Sequence, residues 1–212
     1  MSILQEISEA LQKGKAKDVA ELVQKALNDG QKAEDILNEG LLAGMDIIGN
    51  KFKNNEVYVP EVLIAARAMN NGAQILKPVL AESGIKPIGK VVLGTVKGDL
   101  HDIGKNLVRM MLEGKGIEVI DLGVDVSAEQ FYEAFEKEGA GIVACSALLT
   151  TTMNEMKNVV DYFTEKGARD KVSIMVGGAP ITDSFCKSIG ADHYTADAAS
   201  AADVAKQVLL GA

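Results

Sequence analysis

From Lys90 onward, short β-branched runs alternate strictly with longer amphipathic ones, and this alternation leaves the chain few folds to choose from. Strand-like runs fall at residues 91–96, 117–122, 141–146 and 172–176, with a short fifth at 193–195. Helix-like runs lie between and after them, at 103–115, 128–138, 153–167, 182–189 and 198–210. The pairs Ser127-x-x-Gln130 and Thr152-x-x-Glu155 read as capping boxes that open two of these helices. Parallel strands need crossover connections, and helices are the usual crossovers. The pattern therefore predicts right-handed βαβ units in a doubly wound, five-stranded parallel sheet of the flavodoxin type.

The first 84 residues have a different period. Ile3, Leu4, Ile7 and Leu11 share one helical face, as do Val19, Leu22, Val23 and Leu27 in the next segment. Gly14 and Asn28-Asp29-Gly30 are helix stops, because glycine takes the left-handed conformation that ends a helix. A third helix is expected over residues 32–51. A fourth should start near Pro60, a favoured first-turn residue, and run on through Leu63, Ala66, Met69, Ala73 and Leu76. These features predict an N-terminal four-helix bundle over residues 1–84 and an α/β domain over residues 90–212. The linker between them is residues 83–89, with Gly84, Pro87 and Gly89.

Composition mainly excludes. Aromatic residues are 4% of the chain and tryptophan is absent, so the core must be aliphatic. A net charge of −8 argues against a nucleic-acid partner, which would need clustered Lys and Arg. Two cysteines make neither a disulfide framework nor a zinc site, and Cys145, inside an apolar run, reads as a buried reduced thiol. The first ten residues carry acidic groups and no basic segment before an apolar block, and no run is long enough to span a membrane. A cytoplasmic protein is expected. Met69, Met110, Met111, Met153 and Met156 sit at helical spacing and read as packing.

The chemistry is concentrated in Lys97-Gly98-Asp99-Leu100-His101-Asp102-Ile103-Gly104-Lys105-Asn106, after the first strand. Ligands of open α/β sheets bind at the carboxyl ends of the strands. Asp99 lies two residues before His101, so a carboxylate can accept the Nδ1 proton and leave Nε2 as a lone-pair donor, as in metal-binding histidines. A solvated Asp-x-His turn is the other reading of the same residues. Ser146 at the third strand's end reads equally as a turn residue. Gly177-Gly178 ends the fourth strand with bare backbone. The loop Phe52-Lys53-Asn54-Asn55-Glu56-Val57-Tyr58-Val59 holds apolar residues with no obvious core, either a packed helix–helix turn or a cover for something else.

The Asp99-x-His101-x-x-Gly104 string resembles the signature of cobalamin-binding domains. Ser146-Ala147-Leu148-Leu149-Thr150, Gly177-Gly178 and Ala191-Asp192-His193-Tyr194 follow in the family's order. The whole chain is similar to the corrinoid proteins of anaerobic methyltransferase systems and to the cobalamin-binding module of methionine synthase. The resemblance implies cobalamin or a related corrinoid as cofactor, methylcobalamin during turnover, with the cofactor's own base displaced and His101 bound to cobalt. It implies that Asp99 holds the ring, and that Thr152 extends the pair where methionine synthase has serine. Thr152 is equally well explained as a helix cap.

On the same resemblance, Gly98, Leu100, Asp102, Ile103 and Gly104 meet the corrin, with Gly104 giving close approach to backbone. Ser146, Thr150, Gly177, Gly178 and the Leu148 backbone line a slot for the displaced nucleotide tail. Phe52 and Val59 cover the methyl-bearing face, with the linker as hinge. A methyl carrier is implied, which needs a substrate-specific methyltransferase, an acceptor methyltransferase serving a thiol or tetrahydropterin, and a reductive activator of cobalt. The donor, whether methanol, a methylamine, an aryl ether or a betaine, stays open.

Three rivals are less well supported. Gly94, Gly98 and Gly104 have the wrong spacing for a dinucleotide-binding loop. A cobalamin-dependent mutase shares Asp-x-His but not the helical N-terminal part. A cobalamin-binding sensor or regulator would normally carry a basic DNA-reading element, which this acidic chain lacks.

Overall fold

The computed structural model describes residues 2–83 and 86–211. Met1, Ala212 and the predicted linker residue Gly84, with Ile85, lie outside the described residues. The chain divides into two compact units, Met1–Pro87 with Gly114–Gly116, and Ile88–Glu113 with Ile117–Ala212.

The first unit is helical. α1 (Ile3–Gln12) starts on a Ser2/Gln5 capping box and α2 spans Ala16–Asn28. α3 (Ala33–Asp35), a π-helical stretch (Ile36–Leu42) and α4 (Ala43–Lys53) follow as one helical run, and α5 is Val59–Glu82. Gly14 and Gly30 take φ of 67° and 82° at the predicted helix stops. Ile7, Leu11, Val19, Val23, Ile36, Leu41, Ile48, Val62 and Leu76 are buried and form the apolar interior, as their spacing requires. Two features were not anticipated. The third helix opens into a π-helical stretch, where Gly40 packs so closely that a Cβ would sit 3.1 Å from Ile7. The fourth runs through Pro78 to Glu82.

The second unit alternates as expected: β1 (Lys90–Thr95), α6 (Ile103–Glu113), β2 (Glu118–Asp121), α7 (Ala128–Glu138), β3 (Ile142–Ser146), α8 (Asn154–Glu165), a 3-10 turn (Arg169–Lys171), β4 (Ser173–Gly177), α9 (Asp183–Ile189), β5 (His193–Tyr194) and α10 (Ala198–Leu210). All strand pairs are parallel, in the order β2-β1-β3-β4-β5. α6 packs beside α10, and α7 beside α8. Phe131, Phe135 and Phe163 supply the aromatic part of the core, with Phe135 and Phe163 meeting edge-on at 5.2 Å. Gly94 in β1 makes room for this packing, since a Cβ there would lie 2.8 Å from Phe131.

The Ser127/Gln130 box opens α7 as its sequence predicts, and Gly139 closes that helix in the left-handed conformation. The Thr152/Glu155 box does not form. α8 starts at Asn154 with no side-chain cap, because the Thr152 hydroxyl is turned elsewhere. The sheet order positions the site. β1 lies between β2 and β3, so the chain leaves β1 toward β2 and leaves β3 toward β4, in opposite directions, and a crevice opens at the carboxyl ends of β1 and β3.

Candidate cofactor site

Asp99 stands in that crevice, fully buried, in the loop that follows β1. Its Oδ1 lies 2.7 Å from His101 Nδ1 and also accepts the His101 main-chain N–H at 3.1 Å. Its Oδ2 accepts from three donors on the segment after β3: the N–H of Leu148 at 2.8 Å, the N–H of Leu149 at 3.2 Å and the Thr152 hydroxyl at 2.8 Å. Burial by itself would raise the Asp99 pKa. The Leu148 N–H, the His101 ring and N–H, and the Thr152 hydroxyl more than offset it and hold the carboxyl well below the usual carboxylate range. An ionised Asp99 fixes the imidazole proton on Nδ1 and leaves Nε2 with its lone pair.

The ring is half-exposed, at 50%. Its surroundings are apolar yet open: Leu100 is 71% exposed, Ile103 78%, Leu148 43% and Leu149 41%. Among the described residues of this unit, Leu210 is the one other exposed large hydrophobic side chain. An apolar patch centred on a single imidazole donor suits a broad, flat ligand better than water. Among the described residues no three His, Cys, Asp or Glu side chains converge on a bare metal ion, so His101 is a lone donor. A metal whose other positions are filled by a cofactor fits that donor set.

The remaining predicted residues fall in three groups. Gly98 takes φ of 78° and lets the loop turn; Gly104 sits in the first turn of α6, where a Cβ would meet nothing of the protein within 4 Å. Asp102 is exposed and accepts from the Asn106 amide at 3.1 Å. Ser146 pairs with Gly177 across β3 and β4, Thr150 is exposed, and a Cβ on Gly177 would also meet no protein atom within 4 Å. Two of these residues also have a role within the protein. The Leu148 N–H is engaged by Asp99. Gly178 is explained by the protein itself: at φ 133° a Cβ would stand 1.8 Å from the Ala147 carbonyl oxygen. Phe52 and Val59, half-buried, lie in the helical unit at the end of α4 and the start of α5.

Three contributors escaped the sequence reading. Thr95, fully buried at the end of β1, donates its hydroxyl to the His101 carbonyl at 2.8 Å. Leu149 adds a second main-chain donor to Asp99. Lys105, only 2% exposed, anchors the start of α6 by two contacts to Asp121, at 2.6 and 2.7 Å. The signal for Lys105 is Asp121, an acid at the carboxyl end of β2.

Family models described as the B12 binding domain match residues 89–204 and 3–77. The chain is 41% identical to a corrinoid protein of Desulfitobacterium hafniense (strain Y51) over 99% of its own length and 98% of that protein. It belongs to the B12-binding corrinoid proteins. A dimethylamine corrinoid protein of Methanosarcina barkeri is 42% identical over 98% of this chain and 97% of that one. Among solved structures, the methanol:cobalamin methyltransferase complex of Methanosarcina barkeri matches with a TM-score of 0.89 at 32% identity, covering 99% of this chain and 80% of that chain. A cobalamin-binding protein from Desulfitobacterium hafniense DCB-2 matches with a TM-score of 0.80 at 29% identity, covering 97% and 98%. No helix among the described residues is long and apolar enough to cross a membrane.

Proposed function

We propose that this B12-binding corrinoid protein is a methyl carrier, with cobalamin or a related corrinoid held at the carboxyl ends of β1 and β3 and His101 as the axial ligand. The observation that carries the reading is the 2.7 Å contact between buried Asp99 and half-exposed His101, set in an apolar surface that the core does not need. When bound, the corrinoid supplies a cobalt centre that takes up a methyl group and gives it away.

The chain's own residues govern the donor nitrogen. Asp99 fixes the ring's rotation and holds the proton at Nδ1, so Nε2 keeps its lone pair for a metal. Thr152 and the Leu148 and Leu149 N–H groups keep Asp99 ionised. The Asp99 carboxylate stays against the Nδ1 side of the ring, away from Nε2. Leu100, Ile103, Leu148 and Leu149 would keep water from a bound corrin, and Gly104 would leave room for it. Ser146, Thr150 and Gly177 border the path assigned to the nucleotide tail. Phe52 and Val59 are assigned to the methyl-bearing face on the family resemblance alone.

The relatives carry the names of different donors, dimethylamine and trimethylamine, and a structural neighbour is part of a methanol methyltransferase complex. One fold thus goes with several donors, which supports the reading that the partner methyltransferase chooses the donor. We extend the reading to a second methyltransferase that delivers the group to a thiol or tetrahydropterin, and to a reductive activator. A sensor role is not favoured: the net charge of −8 suits no nucleic-acid target.

The test is reconstitution with hydroxocobalamin and reduction with titanium(III) citrate. Methanol or a methylamine is then offered with its methyltransferase, and the visible spectrum is followed. Methylation by one donor–enzyme pair is expected. A protein that binds the corrinoid but is methylated by none of them would overturn the carrier reading.

A further inference from the structure

We propose that Asp125 is a positioning residue for His101, an inference that rests on the reading of His101 as axial ligand. Asp125 lies in the loop between β2 and α7 and is one of two non-glycine residues with positive φ among the described residues, at 57°. Such a conformation is uncommon for a residue with a Cβ and persists where surrounding contacts hold it. The contacts are present. The Asp125 carboxylate accepts the Gly98 N–H at 2.7 Å, and the Asp125 N–H donates to the Asp99 carbonyl at 3.0 Å.

Asp125 therefore grips the main chain of Gly98–Asp99 at two points, as a strand neighbour would. Its own loop is tied to β1 by Val126 N–H to the Thr95 carbonyl at 3.0 Å and Thr95 N–H to the Gly123 carbonyl at 2.9 Å. Thr95 in turn holds the His101 carbonyl through its hydroxyl at 2.8 Å. The segment between Thr95 and His101 is thus pinned at both ends and in its middle. An imidazole that binds and releases an axial position must then move by its own torsions and those of Leu100, because Gly98–Asp99 cannot slide. The left-handed backbone is what lets one residue use side chain and N–H together, and Asp and Asn are the non-glycine residues that tolerate it best.

Substitutions separate the hydrogen bond from the backbone conformation. Asp125→Gly takes φ of 57° without strain but loses the acceptor, whereas Asp125→Asn keeps both. The readout is the electron paramagnetic resonance spectrum of the cobalt(II) form of bound cobalamin, whose axial nitrogen splitting gives the ratio of histidine-on to histidine-off protein. That ratio should fall on the order of 5-fold in Asp125→Gly and stay within about 2-fold of wild type in Asp125→Asn. An unchanged ratio in Asp125→Gly, or a loss in Asp125→Asn equal to that in Asp125→Gly, would overturn the proposal.

Amide exchange at Gly98 in the cofactor-free protein, read by nuclear magnetic resonance, tests the clamp without the corrinoid. Exchange should be slow in wild type and Asp125→Asn and about 10-fold faster in Asp125→Gly. Equal rates in all three proteins would overturn the clamp. A nitrogen splitting that survives His101→Ala would instead overturn the ligand reading, with the Gly98 exchange pattern left intact.

Discussion

Asp99 and His101 meet at 2.7 Å, with the carboxylate fully buried and the imidazole half-exposed. A buried anion aimed at an open imidazole sets one tautomer. With Nε2 as the cobalt donor, His101→Ala removes the axial nitrogen splitting of the cobalt(II) form. Asp99→Asn retains the corrinoid and lowers affinity or methyl-transfer rate on the order of 10–100-fold. Thr152→Ser, which keeps the hydroxyl, should behave as wild type, while Thr152→Val should follow Asp99→Asn in direction. A splitting unaltered in His101→Ala would exclude His101.

The tail path is best tested at Gly177, not at its neighbour. Any side chain on Gly178 strikes the Ala147 carbonyl whether or not a ligand is present, so Gly178→Ala should destabilise the cofactor-free protein by about 3 kcal/mol or more. Gly177 has open space where its Cβ would stand. Gly177→Leu should leave thermal unfolding of the cofactor-free protein nearly unaltered and weaken binding of complete cobalamin. Binding of cobinamide, which lacks the nucleotide tail, should suffer much less. Equal loss for both corrinoids would route the tail elsewhere.

The fold was legible because its signal is periodic. The change from helical spacing to alternating runs near Lys90 separates two kinds of unit, and the strand order follows from parallel connections. What was hidden depends on which strands become neighbours. Thr152 is 53 residues from Asp99 in sequence, and the two meet only because β3 lies beside β1. Read locally, Thr152-x-x-Glu155 is a helix cap; in the fold the Thr152 hydroxyl is turned to donate to the buried carboxylate, and the Glu155 N–H bonds the Thr152 carbonyl at 3.0 Å instead. Asp125 was invisible for a related reason, because it acts on main-chain atoms of another loop, and Thr95 because it acts on a carbonyl six residues on. Lys105 is buried because Asp121 ends the neighbouring strand and takes its ammonium.

That Lys105–Asp121 pair makes a pH prediction. Burial alone would raise the Asp121 pKa, but hydrogen bonds from Lys105 and the Gly123 N–H, with the charges of Lys105 and Arg109, hold it below its ordinary value. A depressed folded-state pKa contributes stability that is present above the unfolded value, about 3.9, and lost as pH falls through the folded one. Lys105→Met should therefore cost about 1–3 kcal/mol at pH 7, since it takes two short charged contacts from a largely buried carboxylate that keeps Arg109 and the Gly123 N–H. The gap should narrow below about pH 4, as Asp121 becomes protonated. Urea unfolding of both proteins at pH 7 and pH 3 measures it. A gap that is the same at both would mean that lost packing, not the ion pair, sets the cost.

Phe52 and Val59 frame a turn with its own local order. Asn55 takes φ of 58°, its N–H donates to the Phe52 carbonyl at 3.0 Å, and the Glu56 N–H reaches the Lys51 carbonyl at 2.8 Å. This is a Schellman-type helix end with asparagine in the left-handed position. The Tyr58 N–H then caps onto Glu61 at 3.0 Å as α5 begins. The turn is therefore satisfied by main-chain bonds and does not need Phe52 for its shape, although that side chain stays half-buried. Phe52→Ala should leave the turn and the fold in place. If Phe52 covers the methyl-bearing face, bound methylcobalamin should photolyse faster in Phe52→Ala than in wild type, and the reduced cofactor should oxidise faster in air. Val59→Ala should shift both rates in the same direction by less, having fewer atoms to lose. Photolysis of the two variants beside wild type, at equal cofactor occupancy, decides it. Identical rates would leave Phe52 as a packing residue of the helical unit and remove both side chains from the cofactor site.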